Sequence, residues 1–84
     1  MDIQAMEKHI HKFMMENYIT GEIVDYNEQK RMIAVEIIRG DWKHQHLRMD
    51  YFMEELCDIR SISTQTTEED GSDCYSAVHY YYFN

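Results

Sequence analysis

The chain has 84 residues, of which 16 are acidic and 8 basic, so its net charge is −8, and 44% of its residues are hydrophobic. This length allows one domain with one core, and the hydrophobic content excludes a chain that is disordered throughout. The acidity argues against direct recognition of DNA or RNA, because contact with phosphates requires a basic surface.

The negative charge is concentrated in the second half of the sequence. Residues 1–48 contain 8 acids and 7 bases, whereas residues 49–84 contain 8 acids and the single base Arg60. Such one-sided charge would steer a basic partner toward the chain. The alternative is that the charge only keeps the protein soluble.

The first half of the chain predicts a helix followed by a β-hairpin. Apolar residues recur at helical spacing over residues 3–16, within an arc of about 100°, and Asp2 is placed to cap this helix. Residues 18–26 then alternate as a strand does. After the polar connection NEQK, the β-branched segment RMIAVEIIR alternates again.

The second half predicts the same order of elements. Gly40 ends the second strand, and Asp41 is a plausible cap for a helix over residues 42–57. The alternative for this segment is an extended KHQHLRM followed by a short helix capped by Asp50. IRSISTQT predicts the third strand, EEDGSD a turn, and CYSAVHYYYF the fourth strand. The core face of the second helix is predicted to carry Trp42, His46, Met49, Phe52, Met53 and Leu56.

These elements predict an α+β domain with the order α-β-β-α-β-β. The simplest assembly is a four-stranded, mostly antiparallel sheet with both helices packed on one face. The face toward the helices is predicted to carry Ile19, Ile23, Ile33, Val35 and Ile37. The open face is predicted to carry Tyr18, Glu22, Val24, Tyr26, Ala34, Glu36 and Ile38. In the last strand two sets alternate, and His79 favours leaving the set Tyr75, Ala77, His79, Tyr81 and Phe83 open.

Two surfaces are predicted to contact a partner. An open sheet face rich in tyrosine would form an apolar patch of the kind found at interfaces, although cross-strand packing of the same rings is the alternative. The residues predicted for this surface are Tyr18, Tyr26, Tyr75, His79 and Tyr81, bordered by Glu68, Glu69, Asp70 and Asp73. The second surface is the outer face of the second helix, where Leu47 and Tyr51 are ringed by Glu54, Glu55 and Asp58.

No pattern in the sequence predicts catalysis or a cofactor. His9 with His11 and His44 with His46 repeat the spacing H-x-H, but on a helix the two rings of each pair diverge by about 200° and cannot share one metal without distortion. We therefore predict no metal site, and a zinc-binding protein is kept only as a third alternative. The two cysteines, Cys57 and Cys74, lack an electropositive setting and a CxxC spacing.

In size and charge the chain resembles small acidic proteins of phages and other mobile elements. Some of those proteins inhibit nucleic-acid-handling enzymes by presenting carboxylates where phosphates would bind. The sequence thus predicts a non-enzymatic binding protein whose partner is a protein with a basic surface, and inhibition is the role that the resemblance implies. The alternative is a symmetric homodimer formed through the tyrosine-rich face. No apolar run is long enough for a membrane span or a signal peptide, so a cytoplasmic protein with reduced cysteines is expected.

Overall fold

The computed structural model describes residues 2–38, 42–68 and 75–84, and within them the side chains of all residues except 42–44, 46, 67, 68 and 75. The elements are α1 (Ile3–Glu16), β1 (Gly21–Asn27), β2 (Met32–Ile38), α2 (Trp42–Leu56), β3 (Ile59–Glu68) and β4 (Tyr75–Phe83). This order confirms the predicted fold class. The predicted cap Asp41 and the predicted EEDGSD turn lie outside the described residues, apart from Glu68, which ends β3.

The four strands form one antiparallel sheet in the order β1-β2-β4-β3. β4 lies between β2 and β3 and is antiparallel to both. The two strands joined by α2 therefore run parallel to each other without being neighbours, and β1 and β3 form the edges of the sheet. Among the described residues, neither helix has the length and apolar character that crossing a lipid bilayer would require.

α1 begins and ends with recognisable caps. The Asp2 carboxylate accepts a hydrogen bond of 2.8 Å from the Ala5 amide, as predicted, and so satisfies one of the free amides of the first turn. At the other end, the Ile19 amide donates to the Met14 carbonyl over 2.9 Å, and Tyr18 adopts φ 56°. This is a Schellman-type ending, in which the left-handed position is usually glycine.

One core joins both helices to one side of the sheet. Phe13 of α1 and Phe52 of α2 stack with ring centroids 4.1 Å apart, and this contact holds the helices together. The buried cluster beneath them consists of Met6, Ile10, Met14, Ile19, Ile33, Val35, Ile37, Met49, Met53, Tyr81 and Phe83. The predicted inward residues of β2 and Ile19 thus lie in the core, and Ile23 packs against it while partly buried.

The face predicted for the last strand is wrong. β4 pairs with β2 so that Tyr81 lies opposite Ile33 and His79 opposite Val35, and paired residues share a face of the sheet. His79 and Tyr81 are therefore on the core side, and both have an exposed fraction of 0%. The prediction treated His79 as too polar for the core, but the Asp50 carboxylate of α2 approaches its ring and supplies a polar neighbour.

Tyr26 also lies on the other side from the one predicted. The β1–β2 register shifts between Ile23 and Asp25, a β-bulge that adds one residue to β1 and reverses the alternation beyond it. Tyr26 consequently lies opposite the core residue Ile33, although 52% of it remains exposed at the edge of the sheet. Simple alternation could not have shown this inserted residue.

The side of the sheet away from the core cluster is less open than predicted. Ala34 was expected on it as an exposed residue, yet its exposed fraction is 0% and that of Met32 is 7%. The register places Tyr80 opposite Ala34 and Tyr82 opposite Met32. We attribute the burial of these two residues to the larger side chains on the neighbouring strands.

Candidate functional site

The outer surface of α2 is the predicted contact region that the structure presents intact. Its two apolar residues are largely exposed, with fractions of 51% for Leu47 and 65% for Tyr51. Glu54, Glu55 and Asp58, which were predicted to surround them, are exposed as well. We call these five residues the α2 surface.

The packing of α2 explains why these residues face outward. Met49 and Met53 are fully buried against the sheet, and Phe52 stacks on α1. With 3.6 residues per turn, positions 47, 51, 54 and 55 fall on the opposite side of the helix, and Asp58 lies just beyond its end. The apolar residues that hold α2 in place therefore fix the direction of the α2 surface.

The acids of the α2 surface lie at the end of the helix that disfavours them. Glu54 and Glu55 are in the last turn of α2, which contains no basic residue, and Asp58 follows the helix by two residues. The carbonyl groups at a helix C-terminus carry partial negative charge, so each carboxylate there costs roughly 0.3–1 kcal/mol at low salt. Within the described part of the chain, no ion pair compensates Glu54 or Glu55.

Tyr18 extends this surface at the other end of the helix layer. It is 88% exposed, and its backbone carbonyl accepts a hydrogen bond of 3.3 Å from the Gln45 side chain of α2. Tyr18 therefore lies beside the N-terminal half of α2, in a turn and not in the strand predicted for it. From Gln45 to Leu56, the last residue of α2, the helix rise of 1.5 Å per residue spans roughly 16 Å. Exposed aromatic and aliphatic groups occupy one end of this span and carboxylates the other.

His79 and Tyr81, predicted as contact residues, form instead a buried polar cluster with Asp50. The Tyr81 hydroxyl donates to Asp50 Oδ1 over 2.7 Å, and His79 Nδ1 lies 3.3 Å from the same oxygen. Burial, followed by the negative charge and the hydrogen bond of Asp50, raises the pKa of Tyr81 far above its usual value. Neither residue is available to a partner in this structure.

The remaining predicted contact residues do not assemble with the α2 surface. Tyr26 lies on the core side of β1, where it borders Glu7 of α1 across a shallow surface cavity. Glu68 ends β3 and Tyr75 begins β4, but their side chains are outside the described set. Glu69, Asp70 and Asp73 also lie outside the described residues.

The fold brings together a basic cluster that was not predicted from the sequence. Lys30 and Arg31 from the β1–β2 turn meet Arg60 of β3 at a surface cavity of about 570 Å³. Arg31 donates to the Asn84 carbonyl over 3.0 Å, and Arg60 donates to the Lys30 carbonyl over 3.1 Å. Each guanidinium also lies over an aromatic ring of β4, at 5.0 and 5.6 Å. These contacts show both arginines engaged in holding strands together.

No reactive cysteine is found among the described residues. Burial, and then the negative charge of Asp58, raises the pKa of the Cys57 thiol, and its sulfur lies 3.4 Å from the Met53 carbonyl as a weak donor. A thiol with a raised pKa is a poor nucleophile at neutral pH.

His9 and His11 lie on α1, as predicted, and both are exposed. Among the described residues, no three side chains of histidine, cysteine, aspartate or glutamate lie together in a group that could hold a metal ion. The side chains of the second pair, His44 and His46, are outside the described set.

Comparison of the chain with protein-family models, with curated proteins and with solved structures gives no match.

Proposed function

We propose that this chain is a non-enzymatic binding protein that docks through the α2 surface onto a basic surface of another protein. The observation that carries the proposal is the placement of Glu54, Glu55 and Asp58 beside the exposed pair Leu47 and Tyr51. An aromatic and an aliphatic side chain supply contact area, and a charged rim selects the partner.

One feature of this surface lowers the stability of the free protein. The acids at the C-terminal end of α2 oppose the helix dipole. A partner that contributes lysine or arginine would neutralise the carboxylates and would also be attracted by the partial negative charge of the helix end. Costs in the free protein that a partner removes support a role in binding.

We further propose that the partner is a nucleic-acid-handling protein and that binding of this chain inhibits it. Such proteins present basic grooves that bind phosphates, and carboxylates at the end of a helix would compete for the same lysine and arginine side chains. The net charge of −8 would also accelerate encounter with a basic groove.

The proposal is tested by capture from the native cell with immobilised protein, followed by elution in a salt gradient. We expect a basic protein to be retained by the wild-type chain and to elute at moderate salt. The double variant Glu54→Gln, Glu55→Gln should retain roughly tenfold less of it, since each lost charge contact costs up to about 1 kcal/mol at an exposed site.

A matched control is the variant Glu22→Gln, Glu28→Gln, which removes the same charge from exposed positions in β1 and in the turn after it. Equal loss of retention in both variants would assign the effect to net charge and would contradict a defined docking surface. Full retention by the Glu54, Glu55 variant would remove the α2 surface from consideration.

A second candidate function is self-association through the side of the sheet away from the core. The half-buried residues Val78, Tyr80 and Tyr82 lie there beside Ile38, which is 36% exposed. In this candidate interface they take the place of Tyr26 and Tyr81, which were predicted for it but lie on the core side of the sheet. Tyr80→Glu should convert a dimer to a folded monomer on a sizing column, and a wild-type protein that is already monomeric at high concentration would exclude this candidate.

A further inference from the structure

β3 is an edge strand with little protection against pairing. The sheet order leaves β4 as its neighbour on one side, and the register with β4 runs from Ile59 to Glu68. The backbone groups on its other side have no neighbouring strand among the described residues. Such an edge is a template for an added strand unless charges, proline or bulges prevent pairing.

The composition of β3 favours strand addition. From Ser61 to Thr67 it contains no charged residue, no proline and no glycine, and it includes several β-branched residues. Of the described side chains, Ile62 is half-buried, and the exposed ones are Ser61, Ser63, Thr64, Gln65 and Thr66. Both faces of the strand are therefore accessible next to its free edge.

The other edge of the sheet is built differently. β1 has a bulge between Ile23 and Asp25, and it carries the charges of Glu22 and Asp25. Both features are known devices that prevent edge-to-edge pairing. In β3 the bulge lies between Ile59 and Ser61, before the uncharged segment begins, so the segment itself stays regular.

We propose that β3 accepts an extended segment of the basic partner as a fifth strand of the sheet. This inference deepens the proposed function and depends on it, because it names the form in which the partner is bound. The added main chain would satisfy the free amide and carbonyl groups of the edge, which is a recurring mode of peptide recognition.

The charges around β3 define the chemistry of the segment. Glu54, Glu55 and Asp58 precede the strand, and Glu68 ends it. Arg60, near the start of the strand, is the one base within it, and its guanidinium is bound to the Lys30 carbonyl and lies over the Tyr82 ring. The uncharged stretch between Ser61 and Thr67 spans roughly 20 Å at 3.3 Å per residue. The fitting segment thus has about seven residues, with an uncharged β-branched centre and lysine or arginine at each end.

A second copy of this chain fits less well. Two copies bring net charges of −8 against each other, and like charges oppose association. Arg60 is the one base of residues 49–84. Its guanidinium is already bound to the Lys30 carbonyl and lies over the Tyr82 ring, so it does not offset the acids of a second copy.

The test uses nuclear magnetic resonance titration of the full isotopically labelled chain with defined peptides. The probe is acetyl-KKTVTVTKK-amide, which has lysines at both ends and a β-branched centre. The matched control is acetyl-KKTPPPTKK-amide, which has the same charge, but its consecutive prolines remove amides from both edges of the peptide and so prevent strand pairing. We expect amide shift changes across residues 61–67 with the probe and none there with the control.

A variant of the protein makes the test independent of the peptide. Along β3, the amides of successive residues point alternately toward β4 and toward the free edge. Of the two variants Ser63→Pro and Thr64→Pro, one therefore removes only an amide at the free edge, and that variant should remain folded. That folded variant should bind the probe roughly tenfold more weakly, through loss of a main-chain hydrogen bond and steric conflict with the added strand.

Three outcomes would overturn strand addition. These are equal shifts with both peptides, shifts confined to the α2 surface, and no shift with either peptide. None of them decides the proposed function, which depends on the capture experiment with the Glu54, Glu55 variant. Suppose that the Glu54, Glu55 variant retains less of the partner but the probe peptide causes no amide shifts in β3. Docking through the α2 surface would then be supported, and strand addition at β3 would be excluded.

Discussion

The hydroxyl of Tyr81 donates a 2.7 Å hydrogen bond to the carboxylate of Asp50, joining the central strand β4 to α2 across the core. The two residues are 31 positions apart in sequence, and Tyr81 is completely buried. His79 lies on the same side of β4 and approaches the same oxygen at 3.3 Å. A polar cluster of this kind fixes the position of the helix more specifically than apolar contact does.

The first prediction concerns this hydrogen bond. Tyr81→Phe keeps the ring but removes the donor, leaving the Asp50 carboxylate with one fewer partner in a largely buried site. We expect the free energy of unfolding to fall by about 1.5–3 kcal/mol, the range for hydrogen bonds to charged groups. Urea denaturation followed by circular dichroism measures this change.

Tyr18→Phe is the matched control, since Tyr18 is 88% exposed and its hydroxyl makes no hydrogen bond among the described residues. Its effect should stay within about 0.5 kcal/mol. Equal stability of Tyr81→Phe and the wild-type protein would show that the Asp50 contact contributes nothing.

The second prediction concerns alkaline pH. The pKa of Tyr81 is raised in the folded protein, whereas an unfolded tyrosine loses its proton near pH 10. Above that pH the folded state binds more protons than the unfolded state, so stability falls as pH rises. The contribution of protonated Tyr81 to the free energy of unfolding is fully present below pH 10. It declines by about 1.4 kcal/mol per pH unit above pH 10.

This pH dependence is isolated by comparing the wild-type protein with Tyr81→Phe. The difference in unfolding free energy between them should be constant from pH 7 to about 9 and should shrink near pH 11. Cys57 also has a raised pKa, but it is present in both proteins and cancels. A difference that stays constant through pH 11 would contradict the burial of the Tyr81 hydroxyl.

The third prediction concerns the acids at the end of α2. Glu54→Gln and Glu55→Gln remove negative charge from the negative end of the helix, so each should raise the free energy of unfolding by about 0.3–1 kcal/mol at low ionic strength. The gain should fade in 0.5 M salt, where charges are screened over distances of about 4 Å.

Glu22→Gln, at the uncovered edge of β1, is the control and should leave stability almost unchanged. A variant that is both more stable and weaker in partner binding would identify the two glutamates as residues selected for contact. Destabilisation by Glu54→Gln or Glu55→Gln would instead indicate a structural role for that carboxylate.

The fourth prediction concerns the left-handed conformation of Tyr18, with φ 56°. Tyr18→Gly relieves strain of about 1–2 kcal/mol but adds backbone entropy to the unfolded chain. We expect a net gain of about 0.5–1 kcal/mol in stability, measured by thermal unfolding. Tyr18→Ala keeps the strained backbone and should give no such gain.

Both Tyr18 variants remove the exposed ring, so both should weaken partner capture equally if the ring is part of the interface. Undiminished capture by both variants would exclude Tyr18 from the docking surface. Lower stability of Tyr18→Gly than of Tyr18→Ala would show that the positive φ imposes no strain.

The sequence by itself determined the elements and their order. Helical and alternating periods are local properties of the chain, and they located α1 at residues 3–16 as well as the outward direction of Leu47 and Tyr51. The α2 surface was predictable because one helix alone sets which of its residues share a face. The unfavourable position of Glu54 and Glu55 relative to the helix dipole follows from the sequence once the end of α2 is known.

Only the tertiary structure decided which side of each strand is buried. Alternation divides β4 into two sets but does not choose between them, and the choice depends on the pairing of Tyr81 with Ile33 and on the carboxylate of Asp50 from a different element. The bulge in β1 reversed the side of Tyr26 through one inserted residue, which leaves no local signature. The free edge of β3 likewise follows from strand order, and strand order is set by contacts between residues far apart in the chain.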